Sequence, residues 1–136
     1  MGATKDLADW LEAQIVADVG VTCAKGFSAW SRPAIGTSNA YIEWASDEPE
    51  YNARLGKALD KSATTFMAVF VSSNEIGLWA LVDLARAMAR SNGRATINSQ
   101  PMHVIFSAIS RAEPSEETIE ALRYAAVVTV RFQFSQ

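Results

Sequence analysis

The chain has one histidine and one cysteine among 136 residues. A single imidazole, His103, excludes multi-histidine metal sites and leaves one such base for any nucleophile. Standing on a strand beside Pro101, it reads as structural. The lone thiol, Cys23, cannot close an internal disulfide, which suits a reducing compartment or indifference to redox state. Its neighbours do not suggest the base and positive setting of a nucleophile, so it reads as a small buried residue. No apolar run approaches the roughly 18 residues that cross a bilayer. The start, Met1 to Asp6, lacks the cationic flank and apolar core of a secretion signal, and Asp6 stands where a myristoylation pattern wants Ser or Thr. A soluble protein without a membrane partner is expected. Phosphate-cradling and nucleophile-elbow glycine patterns are also missing. The carboxylates Glu113, Glu116, Glu117 and Glu120 lack the alternating ligands and glycine of a calcium loop and read as a solvated face. Together these gaps predict no catalytic residue, no metal and no cofactor. A net charge of −3 argues against general nucleic-acid binding. Arg86, Arg90 and Arg94 gather positive potential locally, at a helix end where cations are favoured in any case.

What is present is a globular composition, 49% hydrophobic and 20% charged, of a size for one domain over residues 1–136. The stretch 63–90 organises it. Ala63 to Ser72 has β-branched and aromatic residues on both alternating faces, as in a strand covered on two sides. Asn74 and Glu75 then cap a helix over 76–88, with Leu78, Leu81, Leu84, Ala85 and Met88 on the inner side. Upstream, Thr4 starts a helix running to about Ala17, its stripe Leu7, Leu11 and Ile15, ended by Gly20. A modest strand follows over 21–30. Asn39 to Ala45 alternates, with Ala40, Ile42 and Trp44 on one face and Asn39, Tyr41 and Glu43 on the other. Downstream, Arg94 to Gln100 reads as a loop and Met102 to Arg111 as a strand inside the sheet with apolar residues on both faces. A short helical turn over 115–122 leads to an amphipathic strand, Tyr124 to Phe134. The spacing of the last two strands favours antiparallel return. The fold predicted is α+β: a two-layer sandwich, with helices on an antiparallel or mixed sheet of about four to five strands.

Two features are candidates for contact. At about 100° per residue, Glu75, Trp79, Asp83, Arg86 and Arg90 share a polar arc that the tryptophan interrupts. Either Trp79 is buried under a neighbouring loop or, with Arg86, it anchors an interface. The second feature is the segment between the strands, acidic at Asp47, Glu48 and Glu50 and then basic at Arg54, Lys57 and Lys61. It is either a solvated loop or a hairpin arm with an irregular tip, reaching neighbouring subunits through its two charged halves.

The succession Phe66-Met67-Ala68-Val69-Phe70-Val71, then Asn74-Glu75 with Leu78-Trp79, Leu81 and Asp83, then Val104-Ile105-Phe106 with Ile109-Ser110-Arg111, then Tyr124-Ala125 leading to Val130-Arg131-Phe132, resembles the tail-terminator proteins of long-tailed bacteriophages and prophages. The likeness is one of order and spacing, clearest from Phe66 to Phe134, and it has no signature site. It implies a single tail-terminator-like domain over 1–136 that works as a structural protein of virion assembly. Proteins of that family close into a ring, usually a hexamer, on the finished tail tube, stop its growth and present a surface for head joining. Implied partners are further copies of the chain, the tail tube protein and a head-tail connector protein, with DNA only as cargo through the channel. The implied location is the virion tail, and the host cytoplasm during assembly. The family offers no catalytic residue to carry over. Another neck or tail-completion component is the alternative, and a small ligand-binding domain or enzyme without a familiar motif is a more distant one.

Overall fold

The computed structural model describes residues 3–26, 38–52, 57–111 and 124–134. Helix α1 (Ala3–Gln14) continues into a π-helical turn over Ile15–Val19. The Gly20 N–H closes that turn on the Ile15 carbonyl at 3.1 Å, with φ of 79° at Gly20. Only glycine takes this left-handed conformation without steric cost, which explains why the helix stops there. Leu7, Leu11 and Ile15 form the stripe expected of them and are almost completely buried.

The strands are β1 (Thr22–Lys25), β2 (Ser38–Asn52), β3 (Lys57–Ser72), β4 (Arg94–Ile97), β5 (Gln100–Phe106), β6 (Ser110–Arg111) and β7 (Tyr124–Phe134). Helix α2 (Glu75–Ser91) lies between β3 and β4 in the chain. Among the described residues they form one sheet in the order β1-β2-β3-β7-β5-β4, with β6 also on β7. All pairings are antiparallel except that of β1 with β2. The chain is therefore α+β as expected. The sheet is larger than the four to five strands predicted and curls into a half-barrel instead of lying flat.

The extra strands have identifiable causes. Arg94 to Ile97 is a strand, not a loop, because Ala95 and Ile97 alternate into the core while Arg94 and Thr96 face out. Asn98 and Ser99, with φ of 53° and 64°, make the two-residue turn that joins β4 to β5. Paired left-handed residues give a turn whose twist matches a hairpin. Strands β2 and β3 likewise continue past the positions expected. They pair from Ser38 with Ser72 out to Asn52 with Lys57, with register shifts between Trp44 and Ser46 and between Pro49 and Tyr51. The acidic segment 46–50 is thus strand in a hairpin arm. The expected helical turn 115–122 lies outside the described residues, as does the stretch from Phe27 to Thr37.

Both helices cover one face of the sheet. Phe66, Ala68 and Phe70 of β3 and Val128, Val130 and Phe132 of β7 meet Leu7, Leu11 and Ile15 of α1 and Leu81, Ala85 and Met88 of α2 in a single cluster. Phe132 sits at its centre, edge-on to Trp10 at 5.6 Å and to Phe66 at 5.8 Å. The other face has a smaller cluster of Val69, Val71 and Ala125 with Tyr41 and Val127 packed on it. The central strand is therefore apolar on both sides, as its composition demanded. Strand β5 is not. His103 and Ile105 are exposed, although β5 does lie inside the sheet, between β7 and β4. Leu84 also departs from expectation, being 41% exposed at the margin of the buried arc of α2.

The curl follows from what α1 touches. This helix packs against β1 and β4, the two edges of the sheet. Lys25 of β1 pairs with Asp9 and Glu12 of α1. At the far edge, Asn98 Nδ2 donates to Asp6 Oδ2 at 2.6 Å. A flat sheet of this width could not bring both edges to one helix.

The junction between β3 and α2 is tight. Asn74 Oδ1 accepts from the Gly77 N–H at 2.6 Å, a side-chain cap on the first turn. A Cβ at Gly77 would stand 2.3 Å from Ser72 Oγ and 3.0 Å from Asn74 Oδ1. Ser72 is buried and its hydroxyl accepts from Asn74 N, so it has little room to yield. Chemical denaturation should show Asn74→Ala costing about 1 kcal/mol. In the same measurement Gly77→Ala should destabilise by roughly 1–3 kcal/mol through overpacking, although alanine is the better helix former.

Candidate assembly surfaces

The outer face of α2 carries exposed apolar side chains over its first three turns, with the exposed carboxylate of Asp83 among them. Ile76 is 73% exposed, Trp79 59% and Leu84 41%, with exposed Ala80 among them. Among the described residues no loop covers the Trp79 indole, contrary to one of the two readings of its place in the polar arc. Its Nε1 donates to Glu75 Oε1 at 3.1 Å. The same carboxylate oxygen accepts from Arg111 of β6 in an ion pair. Glu75 therefore restrains the indole on the helix surface and ties the start of α2 to β6. A tryptophan so held contributes contact area with less ordering entropy to lose on binding. Ile76 falls about 20° beyond Asp83 around the helix axis, at the edge of the same arc.

Further along α2, Arg86 is exposed and bonds Asp83 Oδ1 at 3.1 Å. Arg86, Ala89 and Arg90 form one wall of a groove of about 330 Å³, and the bulge from Phe106 to Ile109 forms the other. The bulge is rigid. Ser107 N donates to the Thr129 carbonyl at 2.9 Å, and Ser107 Oγ accepts from Thr129 N at 2.8 Å. One serine thus replaces the ladder bonds lost where β5 gives way to β6. Phe106 and Ile109 are half-buried against the core. The groove thus combines an apolar floor with two guanidinium groups.

The arm is the third surface. Among the described residues, β3 positions 57–62 pair with β2 alone. At its base Trp44 is 54% exposed, and its Nε1 donates to Asp47 Oδ1 at 3.3 Å. Trp44 shares its face with Ala40 and Ile42 but lies beyond the cover that buries those two. Glu48 neighbours Asp47 on β2, and Lys57 starts β3 opposite Asn52. Arg54 lies outside the described residues. Of the six residues singled out from the sequence, Trp79 and Arg86 share one helix face. Asp47, Glu48 and Lys57 belong to the arm, and the fold does not bring the two groups together.

No group of three or more His, Cys, Asp or Glu side chains that could hold a metal occurs among the described residues, and no helix there is long and apolar enough to cross a membrane. Cys23 is half-buried, and burial pushes its thiol up to about 12, with the Glu12 carboxylate acting in the same direction.

No family model matches the sequence, and no curated protein matches it either. Solved structures do match the architecture. A chain from the virion of a native gene transfer agent particle superimposes with a TM-score of 0.55 at 11% identity, over 96% of this chain and 94% of that one. The two share a fold. A second solved structure superimposes with a TM-score of 0.54 at 15% identity, over 97% of this chain and 89% of the other. The alignments span nearly the whole of each partner, so the likeness extends past the core helices and sheet to the full architecture.

The state of Cys23 gives a direct check on the β1 region. A thiol reagent at pH 8 should leave the native chain unlabelled and react fully after unfolding, since only the thiolate is nucleophilic. The raised thiol also means that the unfolded chain loses this proton first. Native stability should therefore fall as pH rises from 9 towards 12. Cys23→Ala should flatten that part of the profile in alkaline melts.

Proposed function

We propose that this chain is a structural protein of a phage-like particle that closes as a ring on the finished tail tube. There it ends tube polymerisation and offers the surface to which the head is joined. The observation that carries this reading is the near end-to-end likeness to a chain of the gene transfer agent virion, itself a phage-like particle. The order of motifs from Phe66 to Phe134, which resembles tail-terminator proteins, supports it independently of the coordinates. Its partners are then further copies of the chain, usually six in a ring, the tail tube protein and a head-tail connector protein. DNA passes through the channel as cargo only, and the chain resides in the virion tail after assembly in the host cytoplasm. It works without a cofactor and is not an enzyme.

The physical requirement for such a cap is a pair of unlike surfaces whose rotation closes, together with one face that meets the tube. The outer face of α2, where exposed Trp79 and Ile76 stand among Asp83 and Arg86, has the composition of an interface anchor. Tails assembled without this chain should be irregular in length and fail to accept heads in electron micrographs. Normal-length, head-competent tails in its absence would contradict the reading. Trp79→Ala should leave the thermal melt within a degree or two, because the side chain is largely exposed. The same change should cut the yield of head-joined particles by about tenfold or more, as truncating an interface anchor does.

A further inference from the structure

We propose that the β2–β3 arm of one copy docks into the groove between α2 and the Phe106–Ile109 bulge of the next copy, so that Asp47 meets Arg86 and Arg90. The inference rests on the ring reading above and names the two surfaces that a closing, head-to-tail contact requires. One is a protrusion. Six residues of β3, with no sheet partner but β2 among the described residues, extend about 20 Å along the strand direction. The other is a hollow of about 330 Å³ lined by Arg86, Arg90, Phe106 and Ile109.

Charge matches the two. On β2, Asp47, Glu48 and Glu50 follow one another with no basic residue among them. Across the groove wall, Arg90 makes no ion pair among the described residues. Arg86 holds only to Asp83, three positions back on the same helix, where both groups are well exposed. Such a pair contributes little and is easily exchanged. Apolar surface matches as well. Trp44, at the arm's base, is 54% exposed, and the groove floor is half-buried phenylalanine and isoleucine. Arginine and tryptophan together are the favoured composition of binding hot spots.

The contact must form between copies. Asp47 lies in register with Thr64, Thr64 with Phe132, and Phe106 with Val130 two residues away. Three strand spacings, about 14 Å, thus separate β2 from β5 within one chain. Positions further along the arm lie further off still.

Charge reversal tests this pairing. Asp47→Arg and Arg86→Glu should each weaken self-association of the purified chain by about tenfold or more in sedimentation velocity, and the double variant should recover most of that loss. Both sites are exposed, so unchanged circular dichroism and melting would show that folding is intact. As a second readout, Asp47→Cys with Ser107→Cys should give a ladder of disulfide-linked oligomers on tails carrying this chain. Either single variant should not, since the native thiol is half-buried. Self-association that is indifferent to both reversals, with no ladder, would overturn the arm contact and leave the ring reading standing. A chain that is monomeric in solution and shows no oligomers on tails would overturn both. Loss of DNA retention in Arg86→Glu with unchanged sedimentation would assign the groove to nucleic acid and also overturn the proposal.

Discussion

The arrangement depends on one constraint: a single amphipathic helix, α1, has to reach both edges of the sheet. Its apolar stripe is buried over Phe132 and its neighbours, while its polar flanks hold Lys25 on one edge strand and Asn98 beside the other. Burial of Leu7, Leu11 and Ile15 is worth roughly 1.5–3 kcal/mol per side chain. The exposed ion pairs and the hydrogen bond to Asp6 add far less. The polar contacts therefore set where the edges meet the helix, and the apolar stripe supplies the free energy that keeps them there. Curling the sheet around its helices leaves the outer face of α2, the groove beside it and the arm as the surfaces with most to offer a partner.

Much of this was legible in the residues. The 3.6-residue periods of α1 and α2, the two-sided character of β3 and the alternation of β7 were readable because each is long enough for pattern to exceed noise. The helix end at Gly20 and the start at Asn74 came from residues whose geometry is special. What escaped was short or non-local. Four-residue β4 shows only two apolar positions, and its Asn98-Ser99 turn lacks the glycine that marks most such turns. The parallel pairing of β1 with β2 and the curl depend on contacts between distant parts of the chain. No local window contains them. Leu84 is apolar in type, yet at 100° per residue it falls at the rim of the buried arc.

The candidate surfaces were legible in part for the same reason. Trp79 stood out because it broke a polar stripe, and the arm because its charge changed sign. Ile76, Trp44 and the groove behind Arg86 did not stand out. An exposed isoleucine is common, and a concavity between a helix and a strand bulge exists only after folding. The proposed role lies in shape and contact rather than in a reacting group. Sequence motifs are correspondingly quiet and the fold is the more informative witness.

The account holds that the chain acts as a closed ring at one end of a tube, through heterologous contacts between copies. Cryo-electron microscopy of tail ends, averaged at the tip that receives the head, tests this most directly. A single closed ring of this chain at that tip, each copy reaching its neighbour, is the predicted result. Density for the chain repeated along the tube, or at the opposite tip, or as isolated copies without a closed ring, would contradict it.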